Sequence, residues 1–393
     1  MNKKYTIAEK QKVAGDMLNQ IEALQDEFRQ RAGQTRELRR VPDESIQALQ
    51  DAGFFLALQP EQYGGYELTP QQFFKMHLAI AEACMSTAWA SGIIAVHAFQ
   101  IALMDKQAQD DVWADDIHTR VSSAYAPLGN VKKVKGGFEF SGRWGWSSGC
   151  DHCSWALLGG IVPDEGYRTF LVPCTDYVIE DTWFPMGLHG TGSKDIVIEK
   201  AFVPDYRTHK QMDGFQLSNP GYAVNQSALY RIPWAQIFVR VVCTPAIGAC
   251  KDALRLYQET AMQKASMDPS KHATDPATLE RIAAADNIID EMQTIMMRNF
   301  DEMTRCIDRG MNIPVEKRAR YRYQASLVID KSLQVIDSLF AMAGGRSVFE
   351  GSEIQQRFLD IHTARAHVAN NPTNFARNLG GIYLGQENAD FFI

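Results

Sequence analysis

Long apolar runs are missing from this sequence. No stretch of the 393 residues reaches the roughly 20 consecutive apolar residues a membrane-spanning helix needs. The N-terminal MNKKYTIAEKQKV lacks the apolar segment of a signal peptide, so the expectation is a cytoplasmic protein. Excess positive charge is missing too. With 40 Lys and Arg against 47 Asp and Glu the formal net charge is -7, which leaves no overall basic field to attract nucleic acid or an anionic membrane surface. Internal repeats and low-complexity tracts are absent. What is present, 45% hydrophobic and 22% charged residues, is the composition of an ordinary globular protein long enough for two or three domains.

The motifs of several large enzyme classes are also missing. There is no G-x-G-x-x-G after a strand and no G-x-x-x-x-G-K-[ST], so neither a dinucleotide fold nor a P-loop is indicated. No G-x-S-x-G elbow and no H-E-x-x-H occurs, which removes the common hydrolase and metalloprotease readings. The seven cysteines are odd in number and scattered, which favours free thiols. Cys150, His152 and Cys153 form one C-x-x-C with a histidine inside it. A structural zinc site wants a second such pair, so no metal is expected.

The pattern along the chain changes twice. Residues 5–31, 42–51 and 69–105 carry helical spacing, and AIAEACMSTAWASGIIAVHAFQIAL reads as two helices, the second almost wholly buried. From His118 to about Asp205 the chain breaks into short β-rich runs between Gly, Pro and Asp turns, six to eight strands in all, most simply a compact barrel. After a polar connection at 208–229, helical periodicity returns over 234–264, 277–309, 315–343 and 352–369. Breaks at Met267-Asp268-Pro269, Gly310 to Pro314 and Gly344-Gly345 divide these segments, which read as a four-helix bundle. The expected organisation is therefore α+β, with an N-terminal helical domain over 1–117, a central β barrel over 118–207 and a C-terminal helical bundle with its connecting loop and tail over 208–393.

Four clusters stand out: Ser122-Ser123-Ala124-Tyr125 on the first strand, Trp144 to Cys153, the lone His97 in an apolar helix, and Gln355 to Asp360 followed by His362 and His367. Met186-Gly187-Leu188-His189-Gly190, the run from Ile196 to Pro204, and Gly344-Gly345 followed by Ile354 to Asp360 resemble the acyl-CoA dehydrogenase superfamily across nearly the whole chain. Leu38 to Glu44, Gln59-Pro60 with Tyr63-Gly64-Gly65, and Trp146-Ser147-Ser148-Gly149-Cys150-Asp151-His152 are similar to the oxygenase components of two-component flavin-dependent aromatic hydroxylases. These are of the p-hydroxyphenylacetate and seco-steroid phenol hydroxylase type.

That resemblance implies an oxygenase that takes reduced FMN or FAD from a separate NAD(P)H:flavin reductase, reacts it with O2 to a C4a-hydroperoxide and hydroxylates a small phenolic substrate, as a homotetramer. It implies roles for particular residues. His367 is the base that takes the phenol proton, because a neutral imidazole suits that task near neutral pH. Ser123 lies near the peroxide and His97 orients the phenol oxygen. Ser148 meets flavin N5, with Ser147, Trp146 and Tyr125 around the ring, and Gly344 and Gly345 approach flavin from a neighbouring subunit. Without the resemblance, His97 reads as a core histidine, the serine pair as strand residues and the glycine pair as a helix terminator.

Other readings stay open. An indole ring, already electron-rich, suits the same chemistry with less demand on His367. An acyl-CoA dehydrogenase needs a carboxylate base, and the stretch from His362 to Asn370 contains none. A flavin-binding scaffold without catalysis is the third.

Overall fold

The computed structural model describes residues 4–263 and 275–393 in full and the backbone of 264–267; the expected break at Asp268-Pro269 lies outside the described residues. The first helices are α1 (Ile7–Ala23), α2 (Gln25–Leu38), α3 (Asp43–Asp51), α4 (Pro70–Ala83), α5 (Met85–Ala102) and α6 (Lys106–Trp113). Their starts are readable in the sequence. Thr6 with Glu9 and Thr69 with Gln72 form capping boxes, and Asp105 caps α6 through the Gln107 amide. Every residue of α5 is buried, which explains its lack of a polar face. It touches α4, the sheet and the C-terminal helices.

Seven strands follow: β1 (Val121–Val134), β2 (Gly137–Ser147), β3 (Trp155–Val162), β4 (Gly166–Pro173), β5 (Val178–Glu180), β6 (Lys194–Pro204) and β7 (Thr208–Lys210). They form one sheet in the order β5-β6-β2-β1-β3-β4-β7, antiparallel except where β1 runs parallel to β3. The sheet has two halves that share β1. Its first residues pair with β3 and its last with β2, with a register shift between Ala124 and Gly129. Side chains from both halves fill one core in which Phe140 of β2 stacks on Phe170 of β4 at 4.3 Å. The expected six to eight strands are met. A single seven-stranded sheet is what the fold displays, and no ladder joins β5 to β7 among the described residues.

The helices after the sheet are α7 (Gln211–Gln216), α8 (Trp234–Val241), α9 (Thr244–Met267), α10 (Pro276–Asp308), α11 (Val315–Met342), α12 (Glu353–Ala364) and α13 (Pro372–Tyr383). Helices α9 to α12 pack on one another. Two departures from the sequence expectation matter for the site. The segment 234–264 divides between α8 and α9, because Pro245 has no N–H to give and its ring opposes the carbonyl one turn back. The last expected helix stops at Ala364, which puts His367 in a turn capped by its own side chain, while α13 starts at the Asn371-Pro372 signal that the periodicity search passed over.

Candidate active site

A cavity of about 920 Å³ lies where α5, the first half of β1, the turn between β5 and β6, α8, the turn after α12 and the C-terminal residues meet. That volume is at the upper end for small-molecule sites, enough for two flat ligands side by side. Trp89, Trp183, Trp234 and Phe238 give it an aromatic wall. Trp146 stands at it with 71% of its surface exposed and with φ 65°, a left-handed backbone rare for a bulky side chain. An indole held out in this way has a face for a flat partner.

On one wall a chain of hydroxyls has a definite proton direction. Thr191 Oγ1 donates to the Leu188 carbonyl at 2.9 Å, so it accepts from Ser193, 2.7 Å away. Ser193 has then spent its proton, so it accepts from Ser148 at 2.8 Å. Ser148 also accepts from Trp89 Nε1 at 3.1 Å. A hydroxyl has one proton and two lone pairs. Ser148 therefore presents a remaining lone pair to the cavity and nothing to donate. The turn behind it is held rigidly: Leu188 is left-handed at φ 55°, its amide donates to Asp360 at 2.5 Å, and its carbonyl also accepts from Trp183 Nε1 at 3.0 Å.

His367 occupies another part of the wall, with the Trp89 ring 5.7 Å away, edge to face. Its Nδ1 accepts from the Ala369 amide at 3.2 Å, so in the neutral ring the proton sits on Nε2. Burial, reinforced by the Arg322 guanidinium, pushes this histidine down to about 4. Arg322 itself is 2% exposed, lies 3.5 Å over the Phe375 ring and donates to the Ala369 carbonyl at 3.0 Å, while its Nε has no partner. Burial pulls it down to about 10, with Asp390 acting in the opposite sense, so it stays cationic at neutral pH. No carboxylate comes within ion-pair distance of it among the described residues.

The third wall is a buried network. Tyr125 donates to Gln100 Oε1, and His97 Nε2 lies 3.0 Å from the Tyr125 hydroxyl. His97 Nδ1 has no partner, so the proton belongs on Nε2, where it is used. Gln100 Nε2 then donates to Thr169 Oγ1 at 3.2 Å and to His209 Nδ1 at 3.4 Å, and His209 Nε2 donates to Asn219 Oδ1 at 2.8 Å. Burial pushes Tyr125 well above its ordinary value and holds His97 down to about 3, so both stay neutral.

Of the residues expected from sequence, Ser123, Tyr125, Trp146, Ser148 and His367 line this one cavity. Two expectations, for His97 and Ser147, are corrected. His97 is fully buried and stands behind Tyr125, so it acts on the cavity only through that hydroxyl. Ser147, fully buried with a hydroxyl that has no partner, is not in the cavity wall; β2 ends at this residue, and the turn that follows carries Ser148 to the wall. Gly344, left-handed at φ 91°, and Gly345 form the turn after α11 away from the wall of this single chain. The C-x-x-C thiols are free, Cys150 buried and Cys153 partly so; desolvation raises Cys150 to about 12 and Cys153 further, so neither is a thiolate. The sequence reading missed Arg322, Trp89 and Gln100. Only a buried-face position on α5 or α11 with a polar side chain was available as a signal.

The acyl-CoA dehydrogenase N-terminal domain matches residues 16–117 and the acyl-CoA dehydrogenase C-terminal domain matches 240–372. The chain is 38% identical over 361 residues to the oxygenase subunit HsaA of a flavin-dependent monooxygenase from Rhodococcus jostii (strain RHA1), covering 90% of this chain and 94% of that protein. The chain belongs to the acyl-CoA dehydrogenase family, among its flavin-dependent monooxygenases. It is also 30% identical over 394 residues to the oxygenase component of p-hydroxyphenylacetate 3-hydroxylase from Acinetobacter baumannii, covering 98% of this chain and 92% of that protein. The crystal structure of 3-HSA hydroxylase from Rhodococcus sp. RHA1 superposes with a TM-score of 0.94 at 37% identity, over 96% of this chain and 99% of that one. The dehydrogenase and scaffold readings give way to the oxygenase.

Proposed function

We propose that this chain is the oxygenase subunit of a two-component system that hydroxylates a phenolic ring next to its oxygen, using O2 and reduced flavin delivered by a separate reductase. The observation that carries the reading is the presence in one cavity of an acceptor-only Ser148, a cationic Arg322 and the Nε2–H of His367. Bound reduced flavin supplies the electrons that activate O2, one oxygen atom going to the ring and the other to water. The residues fit that group: Ser148 offers an acceptor where the reduced ring has an N–H, and Trp146, Trp183 and Trp89 offer flat faces.

The substrate side follows from charge. A phenolate is a stronger carbon nucleophile than its phenol, and the cationic Arg322, which is in no direct ion pair among the described residues, favours the ionised form. His367 holds its proton on Nε2 and donates to the phenolate oxygen, so its role is that of a hydrogen-bond donor and the expected base role is dropped. Ser123 and Tyr125 position the ring from the β1 side, and His97 orients Tyr125. The aromatic walls keep water away from the reacting atoms. In the same proposal 1–117, 118–207 and 208–393 are the three structural parts, the central one closed as a barrel, and the protein works as a cytoplasmic homotetramer in which Gly344 and Gly345 reach the flavin of a neighbouring copy.

The test is oxidation under ¹⁸O2 of the protein loaded anaerobically with reduced FMN or reduced FAD, in the presence of a series of para-substituted phenols. Catechol products carrying one ¹⁸O atom are the expected result. Consumption of O2 with no labelled catechol from any phenol refutes the reading.

A further inference from the structure

A buried carboxylate joins two sides of the reacting end. Asp360 of α12 is 4% exposed and is in no ion pair among the described residues. Its Oδ1 accepts from the Leu188 amide at 2.5 Å and from Gln356 Nε2 at 2.7 Å. Burial raises it to about 6, against the opposing effects of the Leu188 amide, Gln356, Arg357 and Arg36. A carboxylate kept out of water without a paired cation is costly, and packing alone is served by an apolar side chain. What Asp360 holds is Leu188.

Leu188 is left-handed at φ 55° and ψ 31°, a conformation that costs any residue with a Cβ free energy. The charge-assisted bond from its amide to Asp360 offsets that cost. With the backbone fixed there, the Leu188 carbonyl takes Thr191 Oγ1 at 2.9 Å, the Thr191 amide at 3.1 Å and Trp183 Nε1 at 3.0 Å. Thr191 spends its hydroxyl proton on that carbonyl, Ser193 on Thr191 and Ser148 on Ser193, which leaves Ser148 only a lone pair for the cavity. The same helix end carries the other side of the site. Helix α12 stops at Ala364, and the turn after it presents His367, with Thr363 and Ala364 also in the wall. Helix and turn are in direct contact. A Cβ on Gly187 would lie 2.2 Å from the Leu359 carbonyl oxygen and 2.7 Å from Thr363 Oγ1, so the chain passes there only as glycine.

We infer that Asp360 is a positioning residue: by holding Leu188 left-handed it fixes the proton direction of the hydroxyl chain, and so keeps Ser148 an acceptor for the N–H of the reduced flavin. This rests on the phenol-hydroxylase reading above and deepens it. Asp360 does not line the cavity, so it acts on the site only through Leu188. The bond also ties the turn that orders Ser148 to the helix end that presents His367.

The experiment compares the unaltered protein with D360A and with D360A/L188G. In D360A the Leu188 amide loses its acceptor, whereas in the double variant a glycine adopts the left-handed turn without that cost and no longer needs the carboxylate. The first readout is made without flavin, on the indole N–H signals of Trp89 and Trp183 in ¹⁵N-edited NMR. These groups end on Ser148 and on the Leu188 carbonyl, so both signals are expected to shift in D360A and to return in D360A/L188G. The second readout is labelled catechol per O2 consumed, expected to fall about tenfold in D360A, with phenol affinity changed by less than about twofold, and to recover in the double variant. D360N keeps Oδ1 but offers a neutral acceptor, and a fall of about threefold that L188G again reverses is expected there, which keeps the inference testable if D360A does not fold. Unshifted indole signals in the variants that fold, or a loss of coupling that L188G does not reverse, overturns the inference. If the unaltered protein forms no labelled catechol, the phenol-hydroxylase reading itself has failed, and the indole signals still decide whether Asp360 orders the chain.

Discussion

The amide of Ala369 donates to Nδ1 of His367 at 3.2 Å, and this one bond decides which way the histidine serves the cavity. With Nδ1 occupied as an acceptor, Nε2 carries the proton, and burial with the nearby Arg322 keeps a second proton off until about pH 4. Between pH 5.5 and 8 the ring does not change its charge. The pH profile of kcat/KM for a phenol is therefore expected to show no inflection near 6.5. H367N, which keeps a donor, is expected to retain substantially more activity than H367L. An inflection near 6.5 that disappears in H367N restores the base role.

Arg322 is the cation that opposes the protonation of His367 and favours a bound phenolate. In R322M, which keeps apolar bulk against Phe375, phenol affinity is expected to fall by about ten- to a hundredfold, in line with the loss of a charge-assisted hydrogen bond. Removing a positive neighbour also moves the His367 pKa upward, toward its ordinary value. NMR titration of the His367 ring protons in the two proteins reads that shift, and an unchanged or lowered value contradicts the assignment.

Ser147 and Ser148 are adjacent and chemically alike, and they should differ sharply on substitution. S148A removes the acceptor of Trp89 Nε1 and the donor to Ser193, leaving buried polar groups unpaired at about 1–3 kcal/mol. Labelled catechol formed per O2 consumed is expected to drop at least tenfold. S147A removes a buried hydroxyl that has no partner, and is expected to leave coupling intact and the melting temperature unchanged or slightly higher.

Acid should unfold the protein through its histidines. Burial pushes His77 to about 4, His97 to about 3 and His152, also opposed by Arg40, to about 4, whereas the unfolded chain takes up these protons near 6.5. The unfolded state thus binds more protons between pH 6.5 and 4, so stability is full above that window and lost as pH falls through it. Asp360, raised by burial to about 6, acts in the reverse sense but is a single group. A melting temperature that declines from pH 7 to pH 4.5 is expected, and H77Q is expected to flatten part of that decline.

Much of this molecule was legible in its sequence because the signals are local. Helical spacing, the wholly apolar run of α5 and the alternation in the β region act within a few residues of chain, and they placed the main elements. The two serine clusters and His367 were found because similar short runs occur in related proteins. The properties that make the site work depend on contacts far apart in sequence. Ser148 became an acceptor through Ser193 and Thr191, 45 and 43 residues away, and His97 was set behind Tyr125 by the approach of α5 to β1. Arg322 entered the wall from α11, and Thr169 was met by a glutamine 69 residues distant. Residue identity states how many protons and lone pairs a side chain has, whereas the direction in which each is spent depends on which partners tertiary packing brings within 3 Å.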